Sequence, residues 1–276
     1  MNTEYAAAGT DTRPVLRIHH GTRRTGRDTL AQEVPLALAY NGISHATLLV
    51  SPNHLDDLVL GFSLTEGILN TAGELYDQEI ERTENGLIAH IRIASERLHR
   101  LKLRRRQLAG RTGCGLCGLE NLSEVRRQLP AVKPPQSRHT SSAIVRAANA
   151  MLGQQTLREL TGATHAAAWA NPSGDIVAIR EDIGRHNALD KLLGALCATH
   201  KELPNGFCVI SSRASFEMVQ KAAALGGNTL VALSAATTLA TDAAQELGIM
   251  LIGFARDDQF TIYSHHNYLD TDGAAV

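Results

Sequence analysis

The sequence predicts an α/β protein, α+β overall, in which a small domain of β-hairpins and a helix precedes a larger domain of alternating helices and strands. Asn41-Gly42 and Asn85-Gly86 each separate two apolar runs, which is a strong hairpin signal. From Ser141 onward, helical and extended patterns alternate, as they do in α/β layers. Three prolines within residues 130–135 lie between the two patterns and indicate a linker.

Bulk composition narrows the class of protein. A chain of 276 residues, 43% of them hydrophobic, is long and apolar enough for a buried core. The net charge of -1 argues against a general nucleic-acid binder. Four cysteines with a single close pair do not form a secreted disulfide framework, which favours a reducing compartment. Because no apolar leader or membrane span is evident, we expect a cytoplasmic protein with no membrane partner.

Four regions are expected along the chain. The first is polar and rich in Arg and Thr, which predicts a flexible tail. The second contains both hairpins and an amphipathic helix from His54 to Gly67, which Asn53 is placed to cap. The regions are the tail (1–30), an N-terminal α+β domain (31–112), a segment with a Cys-x-x-Cys loop, a short helix and the proline-rich linker (113–140), and an α/β domain (141–276).

The alternating pattern after Ser141 predicts a largely parallel sheet. The expected elements are helix 142–153, strand 164–170, strand 175–180, helix 186–197, strand 207–211, helix 214–225, strand 229–233, helix 236–246, strand 249–254 and strand 260–264. Asn171-Pro-Ser-Gly174 reads as a turn between the first two strands.

Ligands of such sheets collect at the carboxyl ends of the strands. Four polar sequences fall there, at 181–186, 211–213, 234–238 and 254–259. Free N–H groups at helix starts favour phosphate, and the guanidinium groups of Arg185, Arg213 and Arg256 add bidentate donors. Each residue also has a structural explanation, as a helix cap or a surface ion pair. His165 and His186 lie in the same regions, although a lone histidine is more often structural than catalytic.

The most reactive stretch is Gly110 to Gly118, which carries Cys114 and Cys117 spaced as Cys-x-x-Cys. It follows a predicted helix, 96–108, that is rich in Arg and Lys. Nearby cations lower the pKa of a thiol, and the thiolate is the nucleophile.

Four interpretations of the two cysteines compete. A structural zinc site needs about four ligands, and the other cysteines, Cys197 and Cys208, are isolated. A thioredoxin-like redox pair normally follows a strand, whereas this pair follows a basic helix. Gly113-x-Gly115-x-x-Gly118 spells a dinucleotide fingerprint, but no apolar strand precedes it. Inert cysteines would be buried, and the surrounding sequence is polar and glycine-rich.

The stretch RRRQLAGRTGCGLCG at residues 104–118 resembles the FdhD family, the sulfur carrier proteins required for formate dehydrogenase activity. Further motifs agree in order. They are EVPLALAYNGISH (33–45), LGFSLTEG (60–67), THAAAW (164–169), EDIGRH (181–186) and SSRASFEM (211–218). The resemblance covers residues 30 to 265.

This resemblance implies both a fold and a reaction. The implied fold is a three-layer α/β/α mixed sheet in the C-terminal, cofactor-binding domain, like that of cytidine deaminases. Members take persulfide sulfur from a cysteine desulfurase and pass it to the molybdenum bis(molybdopterin guanine dinucleotide) cofactor before its insertion into formate dehydrogenase. Cys114 matches the persulfide-bearing cysteine and Cys117 an auxiliary thiol. The family also implies a homodimer, and guanine nucleotides such as GDP are expected to mimic the cofactor.

The resemblance also implies a cofactor-binding segment. It consists of Phe254, Ala255, Arg256, Asp257, Asp258 and Gln259, with Arg213 and Arg185 as additional contacts. The segment departs from the more basic family pattern, because two acids replace basic residues, and backbone contacts are then the ones expected to persist. The deaminase pattern of His-x-Glu with Pro-Cys-x-x-Cys is missing from the sequence, so deaminase chemistry and a metal site are not expected.

Two alternatives from other classes stay open. A non-catalytic cofactor-binding chaperone would need its cysteines only for structure or for zinc, and it would hold the cofactor equally well without sulfur. A thiol oxidoreductase would reduce a model disulfide.

Overall fold

The computed structural model describes residues 9–109 and 127–270, with the side chains of residues 104–109 excepted. Cys114, Cys117 and most of the short helix expected after them lie outside the described residues. The strands are β1 (Thr10–His19), β2 (Thr22–Ala31), β3 (Val34–Tyr40), β4 (Ile43–Val50), β5 (Leu75–Thr83), β6 (Gly86–Ile93), β7 (His139–Thr140), β8 (His165–Ala170), β9 (Ile176–Asp182), β10 (Phe207–Ile210), β11 (Thr229–Ala232), β12 (Met250–Arg256), β13 (Gln259–Ile262) and β14 (Leu269–Asp270). The helices are α1 (Leu55–Thr65), α2 (Ser95–Ala109), α3 (Ser141–Leu152), α4 (Thr156–Thr161), α5 (Arg185–Thr199), α6 (Phe216–Ala224) and α7 (Thr238–Leu247).

The N-terminal sheet has the strand order β4-β3-β6-β5. Both hairpins predicted from Asn-Gly pairs are confirmed, since β3 pairs with β4 and β5 with β6 in antiparallel register. One face of this sheet packs against α1 around the buried side chains of Leu36, Leu38 and Leu58. Apolar side chains that alternate along β3 and β6 therefore form a core of their own.

The tail predicted for residues 1–30 is wrong from Thr10 onward. Strands β1 and β2 form a ten-residue antiparallel hairpin that pairs with no other strand in the described part of the chain. His20 and Gly21 turn the chain with φ angles of 47° and 78°, the left-handed geometry of a tight hairpin turn. The β-branched residues Val15 and Ile18 carry a strand signal that the high Arg and Thr content hid.

The C-terminal sheet is mixed and has the order β13-β12-β11-β10-β8-β9. Parallel pairing between adjacent strands of this sheet is confined to β10, β11 and β12, while β8 and β13 run antiparallel to their neighbours. The expectation of a largely parallel sheet therefore fails at both edges. At one of them Asn171 Oδ1 accepts hydrogen bonds from Ser173 N and Asp175 N, and this tight turn forces β8 and β9 into a hairpin.

Helices cover both faces of the C-terminal sheet. Helix α3 packs Ile144 and Met151 against one face, beside Val209. Helices α5, α6 and α7 cover the other face, where Leu192 and Ile210 are buried together. The layers are therefore helix, sheet and helix, as expected for this domain, and the likeness to cytidine deaminases stays a prediction.

The N-terminal unit docks on the outer helix layer through α1 and α5. The two helices meet at glycines: a Cβ atom on Gly61 would lie 1.8 Å from Asp190 O, and one on Gly194 would lie 1.9 Å from Asp57 O. Only a hydrogen atom fits between these backbones. Beside this contact, Arg180 Nε donates to Asp57 Oδ2 at 2.7 Å.

The helix predicted from His54 to Gly67 is confirmed as α1, but Asn53 is not its cap. His54 is the N-cap residue, in the left-handed region with φ 51°. Asn53 Oδ1 instead accepts from Lys191 Nζ at 3.0 Å. A buried ammonium group is a stronger donor than a helix N–H, which explains why the cap prediction failed.

The proline-rich linker lies along the C-terminal domain. Val132 N donates to Leu247 O at 2.8 Å, and the short strand His139–Thr140 pairs with Leu269–Asp270. Across the described ranges, the helices are too short or too polar to cross a bilayer.

Candidate functional site

One edge of the C-terminal sheet gathers the four polar sequences at 181–186, 211–213, 234–238 and 254–259. Strands β9 and β10 point the same way because each is antiparallel to β8. The carboxyl ends of β9, β10, β11 and β12 therefore share this edge. The loops touch one another: Thr237 N donates to Ala214 O at 3.1 Å, and Phe254 N donates to Ser234 O at 3.0 Å.

The edge is wide. Arg185 follows β9, Arg213 follows β10, and Phe254 lies near the end of β12. Neighbouring strands lie about 4.8 Å apart, so the four strand spacings between β9 and β12 separate their ends by roughly 19 Å. Such a row suits an elongated ligand better than a single small anion.

Three helices begin at this edge and direct positive dipole ends toward it. Gly184 caps α5 and Ser215 caps α6, and neither supplies a side-chain acceptor to its helix. Helix α7 differs, because Thr237 Oγ1 accepts from Ala240 N, so the structural explanation holds for Thr237. The side chains of Arg185 and Arg213 make no hydrogen bond or ion pair to another described residue. Cations and open helix starts together favour an anionic group such as phosphate.

Glu181 and Asp182, the two acids of the 181–186 sequence, are buried and have structural roles. Glu181 accepts from Leu157 N at 2.8 Å and from Arg158 N at 2.9 Å, which caps the start of α4. Asp182 is completely buried and lies 2.6 Å from Lys191 Nζ. Both carboxylates are therefore already paired with donors within the protein, which lowers the negative charge presented at the edge.

Phe254 has an unusual backbone. Its φ of 54° is rare for an aromatic residue, and its side chain is 42% exposed. It lies in the irregular stretch between Gly253 and Arg256 where the register of β12 and β13 shifts. Strained residues with exposed side chains concentrate at ligand sites. The ring offers a flat face to a planar partner at the edge of the sheet.

The rest of the predicted cofactor segment forms a hairpin turn between β12 and β13 rather than the start of a helix. The side chain of Ala255 is buried and unavailable to a ligand. Arg256, Asp258 and Gln259 are exposed, and Asp257 adopts a φ of 53° while its carbonyl accepts from Asn149 Nδ2. The ligand contacts available here are thus Phe254, the exposed side chains of the turn and the backbone.

A buried charged cluster that the sequence did not reveal lies where α1 meets α5 and α6. Lys221 Nζ lies 2.9 Å from Asp190 Oδ2, 2.7 Å from Glu66 Oε1 and 3.0 Å from Thr65 Oγ1. Burial lowers the pKa of Lys221, but the carboxylates of Asp190 and Glu66 outweigh it and raise the pKa above its ordinary value. The one sequence signal is the pair Asp190-Lys191, which interrupts the apolar stretch from Ala188 to Leu196.

His186 connects this cluster to the sheet edge. Its Nε2 lies 2.6 Å from Glu217 Oε2, although the two groups are not aligned as a hydrogen bond. Burial lowers the pKa of His186, Glu217 opposes that shift, and Arg185 and Lys221 reinforce it. The side chain is about one-third exposed, so it faces both solvent and the buried charges.

His165 also lies at the edge, at the start of β8. Burial lowers its pKa, and the cations of Arg185 and Arg158 add to that effect. Its Nδ1 is buried and has no hydrogen-bond partner among the described residues. In a neutral imidazole, Nδ1 of His165 is a hydrogen-bond donor or acceptor according to the tautomer. Its neighbour Ser211 is structural, because Ser211 Oγ accepts from Ala166 N.

The segment that carries the cysteines re-enters the described structure beside the charged cluster. Arg127, the tenth residue after Cys117, donates its backbone N–H to Gln220 Oε1 at 2.9 Å. Its guanidinium group donates to Thr65 O, next to Glu66. On the other side the segment follows α2, which is anchored by Arg97 to Glu74 at 2.7 Å.

Burial disfavours the thiolate form of the two remaining cysteines. Cys208 is completely buried in the C-terminal core, and burial raises the pKa of its thiol to about 12. Burial likewise raises the pKa of Cys197 to about 11. At neutral pH both are thiols rather than nucleophilic thiolates. Burial therefore disfavours thiolate chemistry at Cys197 and Cys208.

Comparison with known proteins gives relatives over nearly the whole chain. A sulfur carrier protein FdhD from Bordetella petrii is 50% identical over 253 residues, which is 91% of each chain. A sulfur carrier protein FdhD from Cupriavidus necator is 47% identical over 261 residues, 94% of this chain and 90% of the relative.

A solved structure shares the fold. A crystal structure assigned to a formate dehydrogenase accessory protein from Desulfotalea psychrophila has a TM-score of 0.70 at 20% identity, and the match covers 95% of this chain and 99% of that one.

The family model for FdhD/NarQ matches residues 31–270, which include the sheet edge, the charged cluster and the cysteine segment. This match confirms the resemblance predicted from the motifs at 33–45, 104–118 and 181–186. The chain belongs to the FdhD/NarQ family and is related to sulfur carrier proteins.

Proposed function

We propose that this chain carries sulfur as a persulfide on Cys114, takes it from a cysteine desulfurase in the cytoplasm, and passes it to the molybdenum bis(molybdopterin guanine dinucleotide) cofactor before that cofactor enters formate dehydrogenase. The observation that carries the proposal is that burial raises the thiol pKa of both Cys197 and Cys208, in a chain whose relatives are sulfur carriers. Only the glycine-rich pair is then left to hold sulfur.

The chemistry balances as two thiol exchanges. The Cys114 thiolate attacks the outer sulfur of the desulfurase persulfide, a new S–S bond forms, and the desulfurase thiolate leaves. At delivery, the Cys117 thiolate attacks Cys114 Sγ, a disulfide forms, and hydrosulfide leaves for the cofactor. A cellular thiol reductant then supplies two electrons that return the pair to its thiols.

The sheet edge fits the anionic, elongated cofactor. Phe254 offers a face on which a guanine base stacks, and the open starts of α5 and α6, with Arg185 and Arg213, offer donors to phosphates. Asp257 and Asp258 repel phosphate, so we assign the turn of 254–259 to base and backbone contacts. GDP is the probe that this arrangement predicts.

Intact-protein mass spectrometry tests the sulfur step. After incubation with a cysteine desulfurase and cysteine, the wild type is expected to gain one sulfur, about 32 Da, which a thiol reductant removes. Cys114→Ala loses this gain, whereas the matched control Cys197→Ala keeps it. A gain that persists in Cys114→Ala disproves the assignment.

Sulfur gain, zinc content and GDP binding together distinguish the sulfur carrier from the two rival functions. A cofactor-binding chaperone with structural cysteines predicts no sulfur gain in any variant, about one zinc ion per chain, and unchanged GDP binding in a variant lacking Cys114 and Cys117. A thiol oxidoreductase predicts turnover of a model disulfide. Cys197 and Cys208 favour neither of these two functions, because Cys208 is buried, Cys197 is half-buried, and burial raises the thiol pKa of both.

A further inference from the structure

A cavity lies at the edge of the C-terminal sheet opposite to the candidate site. Its volume is about 430 Å³, and its wall includes Gly206 just before β10, Asn228 just before β11 and Trp169 near the end of β8. Because β8 runs antiparallel to β10, its end lies beside the starts of β10 and β11. The four residues of β10 rise about 13 Å, so the cavity is separate from the edge that carries Arg213.

The indole N–H of Trp169 has no hydrogen-bond partner among the described residues. The side chain is 3% exposed and its Nε1 is buried. A buried donor without an acceptor costs free energy, and native proteins pair nearly all such groups. The donor lies against Gly206, where a Cβ atom would be 2.8 Å from Nε1. Both residues belong to the cavity wall, so an acceptor oxygen bound in the cavity is the natural partner of this N–H.

The wall also carries one positive and one negative side chain. Lys133 of the linker and Glu202 after α5 are both exposed, and neither forms an ion pair within the described ranges. Helix α6 ends at the cavity with Ala224 in the wall, and a helix C-terminus carries a partial negative charge. The indole N–H and Lys133 therefore suit an anionic group, whereas Glu202 and the end of α6 suit a cationic one.

Apolar groups form much of the remaining wall. Val132, Leu203 and Leu225 line the cavity and pack against the C-terminal core. Pro134 and Pro204 stiffen the two loops beside them. The volume lies at the small end of the range of about 300–1,000 Å³ that is typical of small-molecule sites. A preformed cavity of this size and lining selects a small, amphipathic ligand.

We propose that this cavity binds a free α-amino acid with an apolar side chain. The carboxylate of the ligand accepts from the Trp169 N–H and pairs with Lys133, and its ammonium group interacts with Glu202 and the end of α6. A ligand with only one of these charges leaves the opposite set of groups without a partner. Neither the cysteines nor the sheet edge at 181–186 takes part in this binding, so its test does not depend on the sulfur chemistry proposed above.

Tryptophan fluorescence of the full-length chain tests the proposal, because Trp169 is the single tryptophan of the sequence. Titration with L-leucine is expected to shift the emission and to saturate as one site. Isocaproate lacks the amino group of leucine and isoamylamine lacks its carboxylate. Each is expected to bind at least about tenfold more weakly than leucine, because each loses a hydrogen bond between charged groups.

Variants of the wall locate the binding. Lys133→Met and Glu202→Gln are each expected to weaken leucine binding about tenfold. The matched controls Arg138→Met and Glu159→Gln change exposed side chains outside the cavity and leave the affinity unchanged. Trp169→Phe keeps an aromatic ring without the N–H, and calorimetry is expected to show weaker binding.

The exposed positions of Lys133 and Glu202 keep the test decisive even where Trp169→Phe does not fold. Absence of a saturable shift with leucine would mean that solvent alone fills the cavity, and it would overturn the proposal. Equal affinity for isocaproate and leucine would overturn the assignment to an amino acid. Unchanged leucine affinity in both Lys133→Met and Glu202→Gln would overturn the assignment to this cavity.

Discussion

At the scale of single residues, His139 is a buried imidazole held in its neutral form. It is 2% exposed, lies 3.1 Å from Thr229 Oγ1, and its ring centre is 5.0 Å from that of Phe207. Burial lowers the pKa of His139 to about 4. The unfolded chain keeps an ordinary value of about 6.5, so the unfolded state binds the proton first as the pH falls.

This difference predicts a specific loss of stability in acid. Above pH 6.5 His139 is neutral in both states and its contribution is intact. Between about pH 6.5 and pH 4 the unfolded state alone gains a proton, and the free energy of unfolding falls by about 3 kcal/mol on the order-of-magnitude scale of 1.36 kcal/mol per pKa unit. Urea titrations at a series of pH values measure the loss.

Comparison with a neutral variant isolates the effect. His139→Gln keeps a polar group beside Thr229 and removes the titration, so its stability is expected to vary less over this pH range. His266→Gln, at an exposed position, should follow the wild-type pH profile. A His139→Gln profile that parallels the wild type would exclude His139 as the source.

Sequence reasoning placed residues well where a local rule decides and poorly where a distant group competes. Arg185 and Arg213 were placed at one edge because carboxyl ends of strands and helix starts are local features. Asn53 was assigned to a cap and Asp182 to a ligand edge. Both are instead held by Lys191, which follows Asn53 by 138 residues and which no local pattern connects to it.

At the scale of elements, the contact between α1 and α5 depends on two glycines. Glycine inside a helix costs about 1 kcal/mol relative to alanine, so propensity alone favours alanine at Gly61. The packing excludes alanine at Gly61, because a Cβ atom there would lie 1.8 Å from the carbonyl oxygen of Asp190. A backbone atom cannot rotate away as a flexible side chain can.

We therefore expect Gly61→Ala to destabilise the protein despite its better helix propensity. Overpacking typically costs about 1–3 kcal/mol, and here the helices must separate, so a net loss of about 2 kcal/mol is expected. Gly73→Ala is the control, because no atom lies within 4 Å of a Cβ at Gly73. Urea unfolding measures both, and equal midpoints for Gly61→Ala and Gly73→Ala would contradict the close helix contact.

The elements predicted correctly are those with strong turn or periodicity signals. The hairpins at Asn41-Gly42 and Asn85-Gly86 follow from turn chemistry, and α3, α5, α6 and α7 from helical periodicity. The hairpin of β1 and β2 was missed because its strands are rich in Thr and Arg and contain few apolar residues. Helix α4, Thr156–Thr161, was missed because six residues are too few to show a helical periodicity. Its start also depends on the carboxylate of Glu181, which is distant in sequence.

At the scale of the whole molecule, two buried lysines join the N-terminal sheet to the C-terminal domain. Lys221 of α6 reaches Thr65 and Glu66 of α1. Lys191 of α5 donates to Ser51 O at 2.9 Å and pairs with Asp182. No sequence pattern predicts such pairs, because a buried lysine and an exposed one read alike until the packing is known.

The Lys191 pair predicts that the two halves unfold together. Lys191→Met leaves Asp182 buried without its cation, which costs about 3–5 kcal/mol for a broken buried pair. Asp182 also accepts from Ser51 N, Gly184 N and Asn187 Nδ2, so losing its position loosens both β4 and the start of α5. Hydrogen exchange is expected to accelerate together in Ile43–Val50 and in Phe207–Ile210.

Matched variants show whether this coupling runs through the buried charge. Lys133→Met removes an exposed lysine and should change stability by no more than about 0.5 kcal/mol. Adding Asp182→Asn to Lys191→Met removes the stranded charge, and we expect part of the protection to return in both halves. If hydrogen exchange in Lys191→Met became faster only in Ile43–Val50, the N-terminal and C-terminal sheets would unfold separately. In that case the GDP binding that we propose for the sheet edge with Arg185 and Arg213 would be unchanged in Lys191→Met, whereas coupled unfolding would weaken it.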